Sequence, residues 1–155
     1  MAARFTELAV DALADYLAAN LATYLRQVET EVGLSSGDLP DPVEYVRADL
    51  PFDTRSPRVD VYESSWDLEQ DGVDTMVDVT CSARWNYLSL SAVDGELVAR
   101  RTLTALIKCV EADRTLGGTV QAVYYESGTA VAVPADDRTR HVVDQQLIVR
   151  MQEVL

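Results

Sequence analysis

A chain of 155 residues fits one hydrophobic core and leaves little room for a second. Its 26 Asp and Glu residues outweigh 13 Lys and Arg, for a formal net charge of −13, which excludes gripping duplex DNA through a basic patch as a main task. No stretch approaches the ~20 apolar residues of a bilayer span, and no basic, apolar, small-residue leader pattern opens the chain, so the sequence predicts a soluble protein made in the cytoplasm and no membrane partner. Arginine almost wholly replaces lysine, Lys108 being the sole exception. With the dense aspartate this resembles the proteomes of salt-loving archaea and points to a halophilic host or virus, because closely spaced carboxylates keep a surface hydrated where salt screens their repulsion.

Phe5 to Val28 is the clearest element. Phe5, Leu8, Ala9, Ala12, Leu13, Tyr16, Leu17, Leu21, Tyr24, Leu25 and Val28 recur at helical spacing, with no proline or glycine before Gly33. A second row at steps of four, Val10, Ala14, Ala18 and Ala22, is either plain helix-favouring alanine or a face on which a neighbour approaches closely. Gly33 to Pro42 is turn chemistry, Val43 to Ala48 suits a short edge strand, and Pro51 to Pro57 returns to loop.

Val59 to Leu68 and Thr75 to Tyr87 read as strands joined at Asp71-Gly72 into a hairpin. In the second, Val77, Val79, Cys81, Ala83 and Trp85 alternate with Asp78, Thr80, Ser82 and Arg84, which predicts one buried and one wet face. Glu96 to Ala112 has a helical stripe of Ala99, Leu103, Leu106, Ile107 and Val110, with Ser91 or Asp94 as N-cap. Gly117-Gly118 supplies a left-handed turn near the helix end, and Leu116 can fold back on Val110 or Ile107. Thr119 to Tyr125 is a strand, a looser segment with Gly128, Pro134, Asp136 and Asp137 follows, and His141 to Val154 is the last strand. There Val143, Leu147, Val149, Met151 and Leu155 share one face, opposite Asp144, Gln146, Ile148, Arg150 and Gln152. The fold class is α+β: a mixed, largely antiparallel sheet with two long helices packed on one face, in one domain over 1–155.

The chemistry-bearing residues offer little for catalysis. Asp67, Glu69, Asp71, Gly72 and Asp78 imitate the spacing of a calcium loop, but strand-like flanks and Asp74 at the usually apolar eighth position favour an acidic hairpin. His141 is the only histidine, which leaves pairing with a serine or cysteine as its one catalytic option, and no nucleophile elbow accompanies it. Cys81 and Cys109 fall at core positions, where a thiol acts as a small hydrophobe. Gly117-Gly118 ends a helix and enters a strand, the reverse of a phosphate loop, and Arg100-Arg101 reads as a solvated helix face. Catalytic, cofactor-binding and metal-binding residues are therefore all assigned as none, with no cofactor expected.

Asp113-Arg114-Thr115-Leu116-Gly117-Gly118-Thr119-Val120 resembles the aspartate, proline, Thr-Leu-Gly-Gly segment that follows the second helix in small neck and tail-completion proteins of tailed viruses. Arg114 stands where that family commonly has proline. The family's opening long helix and closing alternating strand also have counterparts here. The resemblance implies a non-enzymatic virion protein at the head-to-tail junction. It would be a tail terminator forming a homo-oligomeric, six-fold ring between tail tube protein and head connector or head-closure protein, with DNA passing through an unreactive lumen. Carboxylates of the Asp67 to Asp74 hairpin and the Asp136-Asp137 loop would line such a lumen. A head-closure or other neck protein is the close variant; a small acidic enzyme or ligand-binding domain, or a cytoplasmic adaptor, represents a different class.

Overall fold

Thirty residues free of proline and glycine, Ala2–Glu31, form α1 in the computed structural model, which describes residues 2–53, 55–71 and 74–154. Leu13, Leu17, Leu21 and Leu25 have no exposed surface, and truncating such a leucine costs on the order of 2–5 kcal/mol through lost transfer energy and an unfilled cavity. The stripe predicted for α1 holds except at Leu8, which is exposed. Of the second row, Val10 and Ala14 are buried while Ala18 and Ala22 face solvent. The loop after α1 is pinned by Glu29, 2% exposed, whose Oε2 accepts the backbone N–H groups of Gly37 (2.9 Å) and Leu39 (2.8 Å). Arg26 lies 2.8 Å from the other oxygen of that carboxylate and donates to the Leu39 carbonyl at 2.6 Å.

The strands are β1 (Glu44–Val46), β2 (Arg58–Asp71), β3 (Asp74–Ser89), β4 (Ala122–Ala135) and β5 (Arg138–Val154), with α2 (Ala92–Ala112) between β3 and β4. The sheet order is β1-β2-β3-β5-β4, with β1 parallel to β2 and every other pair antiparallel. Both helices pack on one face, over Val77, Val79, Cys81, Ala83 and Trp85 of β3 and Val143, Leu147 and Val149 of β5. The predicted alternation therefore sets the core face, and the α+β architecture with helices on one side follows from it. Asp71 pairs with Asp74 to close the β2–β3 hairpin; the expected turn residue Gly72, with Val73, lies outside the described residues, as does Leu155. The register of β3 against β5, from Asp74↔Val154 to Ser89↔Thr139, puts the β2–β3 and β4–β5 turns at opposite ends of the sheet.

Two predicted elements need correction. The stripe of α2 is rotated: Ala99, Leu106 and Val110 are buried as expected, but Leu103 is only half-buried and Ile107 is 36% exposed. Gly95, Thr102, Ala105 and Cys109 take the inner positions, because α2 lies against both α1 and the sheet and small residues permit that approach. At Gly95 a Cβ would fall 2.2 Å from His141 Nε2 and 2.3 Å from Ser89 Oγ, so no side chain fits there. The second correction concerns β4, which begins at Ala122 rather than Thr119 and continues through the expected loose segment to Ala135. A bulge between Tyr125 and Gly128 absorbs the irregularity. Pro134 is tolerated because β4 is an edge strand, where a missing N–H leaves no neighbour unpaired.

The segment after α2 is a turn in its own right. The helix stops at Ala112, N-capped by Ser91 and C-capped by Asp113, whose carboxylate accepts from the Thr115 backbone N–H (2.9 Å), the Thr115 hydroxyl (2.6 Å) and the Gly117 N–H (3.0 Å). Those three donors hold the Asp113 carboxyl below the usual carboxylate range. Leu116 is 3% exposed, folded back on the core as expected, while Leu116, Gly117 and Gly118 have φ of 51°, 77° and 83°. Open space surrounds both glycine positions, so the cost of a side chain there is conformational alone. Gly117→Val and Gly118→Val should each lower stability by about 1–2 kcal/mol or more, because a β-branched residue is disfavoured at positive φ. Urea unfolding of the two variants measures this; midpoints equal to the parent's would contradict it.

Candidate functional site

On the face away from the helices, Arg58 and Asp60 sit two residues apart on β2, which aims both side chains the same way. Neither has exposed surface; Arg58 Nε and Nη2 donate to the two Asp60 oxygens at 2.6 and 2.8 Å. Across the strand pair, Arg84 Nη2 donates to Asp60 Oδ2 at 2.9 Å and lies 2.8 Å from Asp49. The remaining donors reach the loop that crosses this face. Arg58 Nη2 donates to the Pro51 carbonyl (3.1 Å), Arg84 Nη2 to that of Leu50 (2.9 Å), and Arg140 Nη2 to that of Asp53 (2.9 Å). Phe52 lies under two guanidinium groups, 5.2 Å from Arg84 and 4.8 Å from Arg140. Arg55 beside Asp53 holds that carboxyl down to about 2. Burial and the neighbouring Arg58 lower the pKa of Arg140, and Asp53 opposes them.

This network is what sequence reasoning missed. The expected wet face of β3 is covered at Ser82 and Asn86, both buried, with Asn86 donating to the Arg58 carbonyl and accepting from Arg140. The signal was present as Arg58-x-Asp60 facing Arg84-x-Asn86: charged residues of both signs at period two on paired strands.

The remaining candidates prove to be separate. Asp67 and Asp78 are cross-strand partners in extended chain, and Asp78 is held by Arg150 through two 2.8 Å hydrogen bonds, so the calcium-loop spacing is not a loop. Asp71 and Asp74 side chains and Gly72 lie outside what is described. No group of three or more potential metal ligands occurs among the described residues. Arg100 pairs with Glu96 one turn away on the exposed helix face. Cys81 and Cys109 are free and fully buried, and burial pushes both thiols up to about 12, which leaves them protonated and unreactive. Asp136 and Asp137 form the β4–β5 turn, with Asp136 at φ 56°.

The sequence could not foresee the partner of His141. Its Nε2 lies 3.0 Å from Ser89 Oγ, both residues almost wholly buried beneath Gly95. The Ser89 hydroxyl also lies 2.8 Å from the Ser91 carbonyl, which competes with the imidazole for its single proton. The pair tethers the start of α2 to β5, and its burial keeps it away from any substrate at the surface. Burial lowers the His141 pKa, with Glu96 acting the other way.

What stays available is surface for association. β4 along its length and β2 beyond Val61 have no outer partner strand among the described residues. Large apolar side chains are exposed at both ends of the sheet. Trp66 and Leu68, each 53% exposed, lie toward the β2–β3 turn, while Leu90 and Val93 (both 77%) and Leu97 lie near the β4–β5 turn.

No known family's profile matches the chain, and no curated protein matches it. Among solved structures it is similar to a chain of the "Virion of native gene transfer agent (GTA) particle", at 17% identity and a TM-score of 0.43, covering 88% of this chain and 98% of that one.

Because there is a single histidine, its titration is separable from the rest. The folded pKa of His141 lies below the unfolded value near 6.5, so between the two the unfolded chain binds a proton that the folded chain refuses. Stability should therefore fall as pH drops below about 6.5, and His141→Gln should remove that part of the slope. Urea midpoints between about pH 7.5 and 5.5 read it out, above the main carboxylate range. Equal slopes in parent and variant would contradict the assignment.

Proposed function

We propose that the chain is a virion structural protein of the head-to-tail junction, a tail terminator that closes the tail tube as a homo-oligomeric ring and meets the head connector. The observation that carries this reading is the Asp113 to Val120 turn. The residues that resemble the neck and tail-completion segment are those the fold uses there: Asp113 as threefold acceptor, Leu116 as core anchor, Gly117 and Gly118 at positive φ. Arg114, in place of the usual proline, pairs with Glu111 at 2.6 Å and does not enter the turn's hydrogen bonding.

Ring closure requires head-to-tail contacts between two unlike surfaces of one subunit. The free β2 and β4 edges, and the apolar groups at opposite ends of the sheet, are surfaces of that kind. The ring is six-fold by the resemblance, with the tail tube protein on one side and the head connector or head-closure protein on the other. Excess carboxylate suits a lumen through which DNA slides, because like charge keeps the strand from adhering. The same surplus supports a halophilic host.

Deleting the gene should leave filled heads and tails that fail to join, or tails of uncontrolled length, when lysates are viewed by electron microscopy. Infectious, normally tailed particles from the deletion, or purified particles lacking the protein by mass spectrometry, would overturn the proposal.

A further inference from the structure

Basic side chains are scarce in this chain, and nearly all the described ones have a carboxylate at ion-pair distance. Among the described residues the exceptions are Arg101, Arg138 and Arg140. Two of these line one open cleft of about 550 Å³ at the β4–β5 end of the sheet, together with Leu88 and Ala135. Arg140 is 9% exposed and donates only to neutral acceptors, the Asn86 side chain and the Asp53 carbonyl. Arg138 lies two residues earlier on the same face of β5 and is exposed. Arg140 makes no ion pair of its own among the described residues: the Phe52 ring, two neutral acceptors and the field of Asp53 hold its charge, which leaves its guanidinium able to take an anion from outside.

The cleft also selects the size of that anion. Asp136 and Asp137 rim it, and Asp53 lies at its base, already held by Arg55 and Arg58. A polyanion would meet these carboxylates at every approach, whereas one side-chain carboxylate can reach the guanidinium groups between them. At the other end of the same face stand Asp67 and Glu69 of β2, exposed and outside ion-pair distance of any described base, Glu69 being in the field of Arg150. We infer that the Arg138–Arg140 cleft is a docking site for an acidic side chain of a neighbouring copy, supplied by the Asp67 and Glu69 row. The inference rests on the self-assembly proposed above, and it joins the two cleft arginines of one subunit to the acidic row of the next.

Sedimentation equilibrium of the full chain tests it. Arg138→Glu should weaken self-association by about tenfold or more with an unchanged melting temperature. Arg101→Glu, the same charge change on α2, should leave association within about twofold. Adding Asp67→Arg and Glu69→Arg to Arg138→Glu should restore part of the association, since the contact at position 138 regains opposite charges while Arg140 keeps its own. Equal effects of Arg138→Glu and Arg101→Glu, no rescue by the double reversal, or a parent that stays monomeric would each overturn the inference. So would a duplex oligonucleotide retained by the parent and released by Arg138→Glu, which would assign the cleft to phosphate. A tail-deletion phenotype with none of these association changes would leave the virion role standing and remove the cleft from it.

Discussion

The fully buried pair of Arg58 and Asp60 fixes more of this molecule than any other contact. Taking two charges out of water costs several kcal/mol each, and their attraction offsets this only when every donor and lone pair is used. Here the carboxylate accepts from two arginines, Arg58 Nη2 also donates to the Pro51 carbonyl of the 49–53 loop, and Arg58 Nη1 lies 3.2 Å from the Asp53 carboxylate. The loop has little apolar content of its own to bury; Phe52, held between two guanidinium groups, is its main contribution. Charge rather than hydrophobicity therefore decides where this segment lies. The same device appears on the helix side, where buried Glu29 with Arg26 ties down the loop after α1.

That placement divides the sheet. Near the β4–β5 end the central strands β2 and β3 are covered on both faces, by helices on one side and the strapped loop on the other, while β4 stays exposed. Toward the β2–β3 end no loop crosses the outer face among the described residues, and Asp67, Glu69, Asp78 with Arg150, and Tyr124 stand on it beside Met76 and Ile148. A subunit built this way presents a cleft holding two guanidinium groups among carboxylates at one end and a row of acids at the other. Such polarity favours head-to-tail contacts over two-fold pairing, in which like would meet like.

How far this was legible depended on whether one local period carried the information. The leucines of α1 and the alternating residues of β3 and β5 each bury a single face, so their patterns read directly. The stripe of α2 was misread because its innermost positions are small: Gly95, Thr102 and Ala105 carry no hydrophobic signal and matter for the space they leave. β4 escaped because an edge strand exposed over much of its length has no alternation to show, and its Gly128 and Pro134 look like loop. The Arg58, Asp60, Arg84 and Arg140 network brings together residues up to 82 positions apart with the 49–53 loop, a pairing that only the sheet register creates. The two-glycine turn was read correctly as a positive-φ stop, although Asp113, not glycine, caps the helix.

The central claim is that the buried charge network, not apolar packing, holds the 49–53 loop against the sheet. Amide hydrogen exchange on Asp60→Ala against the parent tests it directly, since losing one partner of a buried pair costs about 3–5 kcal/mol and the loss should be felt first by the strap. The account predicts that protection falls in the 49–53 segment and at the start of β2, while α1 and the Asp113 to Val120 turn keep theirs relative to global stability. Unchanged protection across 49–53 in a variant that still folds would contradict it.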